Sequence, residues 1–150
     1  LYWTKGEVPE GDYTVPIGKA DVKRQGKDIT IVAGSIMVPR SLEAAQKLEE
    51  EGIDVEVMDI RSLKPLDLQT VVSSVKKTGR VLIVEDDPIS YGWGAEVAAG
   101  IVGSEAFDYL DAPVKRLAGL DIPIPYNPNL EKHAVPQVPN IIDAVKEVLR

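Results

Sequence analysis

Three short stretches of this 150-residue sequence hold residue types that could do chemistry. Gly92-Trp93-Gly94 opens a helical stripe shortly after an apolar strand, and the free amides of a helix start can hold a phosphate. The dinucleotide fingerprint is incomplete there. Val97 stands where its third glycine belongs, and Glu85 to Ser90, with acids at positions 85, 86 and 87, lie between the strand and the glycines. Packing of a helix start is the simpler reading. Gly34-Ser35 makes a weaker phosphate-like turn, lacking the lysine and second glycine of a P-loop. Glu85, Asp86 and Asp87 fall at the carboxyl end of a central strand, where open α/β sheets bind ligands. Clustered carboxylates can take a hard divalent cation or perturb one another for acid-base work. Neighbours on a strand face opposite ways, so at most Glu85 and Asp87 converge, and a solvated loop is the simpler reading.

The remaining chemistry is narrow. Without cysteine there is no thiolate nucleophile, disulfide framework or zinc ribbon, and His133 is the only imidazole, so a histidine metal cluster is excluded. His133 sits among prolines with no orienting acid beside it, which favours a surface position over a general base. No serine occupies a nucleophile elbow. Acids outnumber bases to give a net charge of -7, and no basic cluster offsets the repulsion of a nucleic acid backbone. No apolar run approaches the ~18 residues of a membrane helix. These residues assign no catalytic, cofactor-binding or metal-binding role, and neither nucleic acid nor membrane is an expected partner.

The elements that would position them alternate in type. Ile29 to Ala33 is a β-branched run bounded by Gly26 and Gly34, as in a strand buried on both faces. Val38, Leu42, Ala45 and Leu48 then recur at helical spacing, with Gly52 beyond the end. Ile53 to Ile60 is a second strand. Leu68, Val71, Val72 and Val75 form a helical stripe, with Asp67 placed to cap it, Lys76 and Lys77 in its last turn and Gly79 ending it. Val81 to Val84 is a third strand, Val97, Ala98, Ile101 and Val102 a third helix stripe, Val114 to Ala118 a fourth strand, and Ile141 to Leu149 a final amphipathic helix. Successive β-α-β units require an α/β fold of three layers, a mostly parallel twisted sheet of about five strands flanked by helices.

Two stretches break the pattern. Residues 1 to 18 mix charges with Gly6, Pro9, Gly11, Pro16 and Gly18 and read as an irregular linker arm, leaving 19 to 150 as the domain. A chain beginning at Leu1 is expected to be a fragment of a longer polypeptide. Asp111 to Pro139 holds six of the eleven prolines and reads as long ordered coil rather than a missed helix. Within it, residues 119 to 139 form a candidate contact surface, as long coils in compact domains often are. Leu120, Ile122, Ile124 and Tyr126 alternate there and would make an outward apolar patch. Asp111 follows Phe107 and Tyr109 and precedes Pro113, which predicts a rigid, partly exposed turn with a free carboxylate.

Five segments carry a family resemblance. They are Pro16 to Ala20, Asp59 to Asp67, Glu85 with Gly92 to Glu96, Tyr109 to Pro113, and Pro123 to Tyr126 with Pro136-Gln137. In this order and spacing the whole chain resembles the carboxyl-terminal, transketolase C-terminal-like domain of the β subunit of thiamine diphosphate-dependent 2-oxo acid dehydrogenases, most like the pyruvate type. The resemblance implies an oxidoreductase complex that makes acyl-coenzyme A. Its thiamine diphosphate and magnesium would lie outside this domain, which is then expected to be inactive alone. It further implies assembly with an α subunit and a second β subunit as an α2β2 heterotetramer, docking to the peripheral subunit-binding domain of a dihydrolipoyl acyltransferase, and a cytoplasmic or, in eukaryotes, mitochondrial matrix location. Asp111 would face basic groups of that binding domain, with the chain end at Arg150 nearby. The other reading is an autonomous Rossmann-like module for a small molecule or nucleotide.

Overall fold

The computed structural model describes residue 1 and residues 5–150. Five strands, β1 Asp21–Arg24, β2 Ile29–Ala33, β3 Val55–Asp59, β4 Val81–Pro88 and β5 Lys115–Gly119, form one sheet in the order β1-β3-β2-β4-β5. β1 pairs antiparallel with β3, and every other pairing is parallel. Helices α1 Met37–Glu49 and α5 Val138–Val148 cover one face, while α2 Leu68–Thr78 and α3 Gly94–Val102 cover the other. α4, Pro128–Ala134, follows β5.

The period of two along each strand divides the core. Ile29, Ile31, Ala33, Val55, Val57, Leu82 and Val84 pack under α1 and α5, and Val32, Met58, Val81 and Ile83 under α2 and α3. Both faces are therefore buried, as the near-continuous apolar runs require.

Sequence and structure differ at several elements. β1 has no counterpart in the strands expected from the sequence, because a four-residue edge strand with a register shift at Val22/Arg24 is too short to show a period. The expected coil from Asp111 to Pro139 contains α4. Asn127 caps that helix by accepting from the Asn129 amide at 2.9 Å, and Pro128 stands at its start, where a missing N–H costs nothing. Prolines read as breakers thus mark a helix start. Val102 ends α3 in solvent rather than in the core stripe. β4 runs on to Pro88, so Glu85 to Asp87 belong to a strand and not to a solvated loop.

The expected linker arm lies partly outside the described residues, at 2–4. Residues 5–17 hold no helix or strand. Where the arm meets the domain, Gly18 has φ +74 and lies so close to Pro65 that a Cβ would come within 2.6 Å of its ring.

Asp67 ties the domain's first residues to α2, as its capping position predicted. Its buried carboxylate accepts from the Thr70 amide at 3.3 Å, the Thr70 hydroxyl at 2.8 Å and the Ala20 amide at 3.1 Å. Burial acts to raise its pKa, but these hydrogen bonds and nearby Lys19 outweigh it and hold the carboxyl below the ordinary range. A lowered folded pKa gives stability that is complete above the unfolded value of about 3.9 and is lost as pH falls through the folded value. Asp67→Ala is expected to cost about 1 to 2 kcal/mol at neutral pH, and Asp67→Asn to flatten the acid limb of stability in urea unfolding. An unchanged acid limb would remove Asp67 from the cause of acid unfolding.

Candidate functional site

The parallel strands converge at their carboxyl ends, where the first chemical candidates meet. The chain crosses from β2 to β3 on one side and returns to β4 on the other, leaving a switch point between β2 and β4. A cleft of about 260 Å³ opens there, bounded by Gly34, Ser35, Ile60, Arg61, Leu63, Asp86, Asp87 and Trp93. Ser35 and Arg61 hold positive φ values, 52° and 53°, at its rim.

Glu85 turns inward beneath this cleft. It is fully buried, yet it accepts from the Gly94 amide at 2.7 Å and from Arg116, whose Nε lies at 3.0 Å and whose Nη2 also approaches it. The same guanidinium donates to the Ile89 carbonyl at 2.9 Å. The two glycines of Gly92-Trp93-Gly94 exist for this carboxylate: a Cβ on Gly94 would stand 2.5 Å from Oε1, and one on Gly92 2.6 Å from Oε2. The Gly94 amide that a phosphate could have used is already bonded to Glu85, an arrangement that packs the start of the helix. Sequence reasoning missed Arg116 as the partner. The available signal was a cation inside the strand run Val114 to Ala118, on the parity that faces α3.

Past β4 the chain is fixed a second time. The Ile89 amide donates to the Gly119 carbonyl at 2.9 Å, and the Ser90 amide and hydroxyl reach Asp121 at 3.0 and 2.7 Å, holding its carboxyl below the ordinary range. Leu120 donates to the Ala134 carbonyl at the end of α4. Ile89, Tyr91, Leu120, Ile122, Ile124 and Tyr126 are all exposed, so the alternating patch expected from the sequence faces outward and extends onto the turn after β4.

Asp111 lies at the opposite end of β5. Its amide donates to the Gly79 carbonyl at 2.7 Å, which anchors the turn to the end of α2. Its carboxylate is exposed but not free, since Arg80 Nη1 stands 3.4 Å away. A shallow groove of about 440 Å³ runs beside it between Phe107, Leu110 and Pro113, built on an unanticipated 3₁₀ turn, Glu105–Tyr109. Glu147, in the last turn of α5, pairs with Lys115, which brings the exposed Arg150 to this same end. The six candidate partner residues therefore fall on two surfaces: Asp111 and Arg150 at the amino end of the sheet, Leu120, Ile122, Ile124 and Tyr126 at the carboxyl end. His133 is exposed on α4.

Removing one member of a buried pair strands the other charge, at a cost of about 3 to 5 kcal/mol. Arg116→Met is expected to lose that much in urea unfolding, and the double variant Glu85→Gln/Arg116→Met less than the sum of its single variants. A loss below about 1 kcal/mol for Arg116→Met would show that the Gly94 amide alone satisfies Glu85.

Comparison with known proteins adds a family. The model of the transketolase C-terminal domain matches residues 18–141. The pyruvate dehydrogenase E1 component subunit beta of Rhizobium meliloti (strain 1021) is 48% identical over 149 residues, covering 99% of this chain and 32% of that protein. The mitochondrial subunit beta-2 of Oryza sativa subsp. japonica is 49% identical over 140 residues, covering 93% and 37%. A split-gene transketolase solved as an inactive β4 tetramer superposes with a TM-score of 0.79 at 34% identity, covering 96% of this chain and 45% of that one. The chain thus spans about a third to just under half the length of the relatives it matches. No helix among the described residues is long and apolar enough to cross a membrane.

Proposed function

We propose, from the premise that this chain belongs to the transketolase C-terminal domain family, that it is the assembly and docking domain of the β subunit of a pyruvate dehydrogenase-type 2-oxo acid dehydrogenase. The observation that carries the reading is 48% identity with such a subunit over 149 residues, spanning both candidate partner surfaces. The whole enzyme would oxidatively decarboxylate a 2-oxo acid, and this domain would hold subunits together rather than touch substrate.

Thiamine diphosphate and magnesium belong to that enzyme's chemistry, but the residues here do not fit them. Among the described residues no three His, Asp or Glu side chains converge as metal ligands, and Glu85 is already taken by Arg116 and Gly94. On this reading the domain takes no part in the chemical step.

Each surface has a partner suited to it. The carboxyl edge, with Ile89, Ile122, Ile124 and two fully exposed tyrosines, Tyr91 and Tyr126, is an apolar patch on rigid backbone, the composition of a subunit interface core. It would meet another subunit of an α2β2 heterotetramer. The amino end, where Asp111 borders a groove beside exposed Phe107, suits a basic partner, here the subunit-binding domain of the acyltransferase, with Arg150 at its margin. Arg80 would exchange its contact with Asp111 for one with solvent as an incoming arginine takes the carboxylate.

In the full-length subunit, Ile122→Asp/Ile124→Asp is expected to shift the heterotetramer toward smaller species in analytical ultracentrifugation. Asp111→Ala should weaken acyltransferase binding by about 1 to 3 kcal/mol while decarboxylation with an artificial electron acceptor stays unchanged. Intact tetramers in the first case, or unchanged affinity with lowered thermal stability in the second, would contradict the respective role.

A further inference from the structure

We propose that the cleft at the carboxyl ends of β2, β3 and β4 receives an arginine side chain from a protein partner, with the guanidinium on Asp86 and Asp87 and the stem against Trp93. The inference rests on the reading of the carboxyl edge as a subunit interface and names what that partner inserts.

The walls are apolar and close together. Gly34 leaves the floor open, since a Cβ there would touch Trp93 Cζ2 at 3.5 Å and Ile60 Cγ1 at 3.6 Å. Half-buried Trp93 thus stands across from Ile60, with exposed Leu63 at the mouth. An indole edge and face lining a narrow cleft accept an alkyl stem or a flat cation better than a hydrated one.

The register shift between Val84 and Pro88 breaks the strand's alternation, so adjacent Asp86 and Asp87 both border the cleft, and the charge at its mouth is uncompensated. Among the described residues, neither Asp86 nor Asp87 accepts a side-chain hydrogen bond or lies within 4 Å of a cation. Other carboxylates at this end are satisfied within the fold: Asp59 by the Arg61 amide at 3.0 Å, Asp67 by Thr70 and Ala20, and Asp121 by Ser90. Arg61, the one cation lining the cleft, is turned away onto Asp21 at 2.5 Å. Two carboxylates beside an aromatic wall select a planar guanidinium over an ammonium, because it stacks, bonds in two prongs and gives up water more readily. Two acids alone make a poor divalent-cation site, which needs six or more oxygens for calcium. The chain's net charge of -7 also favours a basic partner. A protein source is argued from the chain just past Asp87, where exposed Ile89 and Tyr91 add apolar surface that a free amino acid would leave uncovered.

The test uses the full-length protein with 15N-labelled tryptophan indoles. Nα-acetyl-arginine amide is expected to shift the Trp93 indole resonance, assigned by Trp93→Phe, with at least tenfold higher affinity than the uncharged isostere Nα-acetyl-citrulline amide. Asp86→Asn/Asp87→Asn, both surface positions, should erase that difference without lowering the melting temperature. Equal binding of the two amides, equal binding of the lysine analogue, or an unaffected double variant would overturn the assignment. Subunit association supplies the second readout: the double variant should weaken it at least tenfold in 50 mM salt and much less in 500 mM salt. If Ile122→Asp/Ile124→Asp leaves association intact while the amide result stands, the interface reading fails and the cleft assignment survives. If association needs Ile122 and Ile124 but not Asp86 and Asp87, the cleft assignment fails.

Discussion

A charge buried between a strand and a helix start governs the functional end of this domain. Glu85 has no exposure to water, so its carboxylate must be matched inside the protein or β4 cannot close against α3. Arg116 supplies the charge, the Gly94 amide supplies a donor, and the missing side chains of Gly92 and Gly94 supply the room. Through the same guanidinium the Ile89 carbonyl is held, and β5 is joined to the turn after β4 by more than its ladder.

Consequences spread outward from that pair. With the turn after β4 fixed, Ser90 can lock Asp121, and Leu120 can bond the end of α4, so the proline-rich segment has a definite path over the sheet edge. Apolar side chains on such a path stay outward without collapsing onto the core, at a cost in solvation that association would offset. Rigid presentation also limits the ordering entropy of binding. At the other end of β5, Asp111 is held by the Gly79 carbonyl at the close of α2, so the two candidate surfaces share one strand while remaining structurally separate.

Local signals made the layers legible. Ile29 to Ala33 and Val81 to Val84 could only be buried strands, and Asp67 and Gly79 marked both ends of α2, because caps and β-branched runs act within a few residues. The candidate site was less legible, since its decisive contacts are distant in sequence. Glu85 and Arg116 are 31 residues apart, and nothing near Glu85 announces a cation, so an acidic run looked solvated. Arg80 escaped notice beside Asp111 for the same reason. α4 was hidden differently: Pro128 breaks a helix in its interior but favours one at its first turn, and only the Asn127 cap distinguishes the cases. The alternation Leu120, Ile122, Ile124, Tyr126 was readable in itself, whereas its continuation onto Ile89 and Tyr91 required the pairing of β4 with β5.

On the proposed reading, the carboxyl edge, held in shape by Glu85 and Arg116, is covered by another subunit in the full-length assembly. Hydrogen–deuterium exchange on the full-length protein, compared between dissociated and assembled forms, addresses it directly. Amides of residues 89–94 and 119–126 are expected to gain protection on assembly while those of β2 and β3, already buried, do not change. Equal exchange of residues 89–94 and 119–126 in the two forms would contradict it.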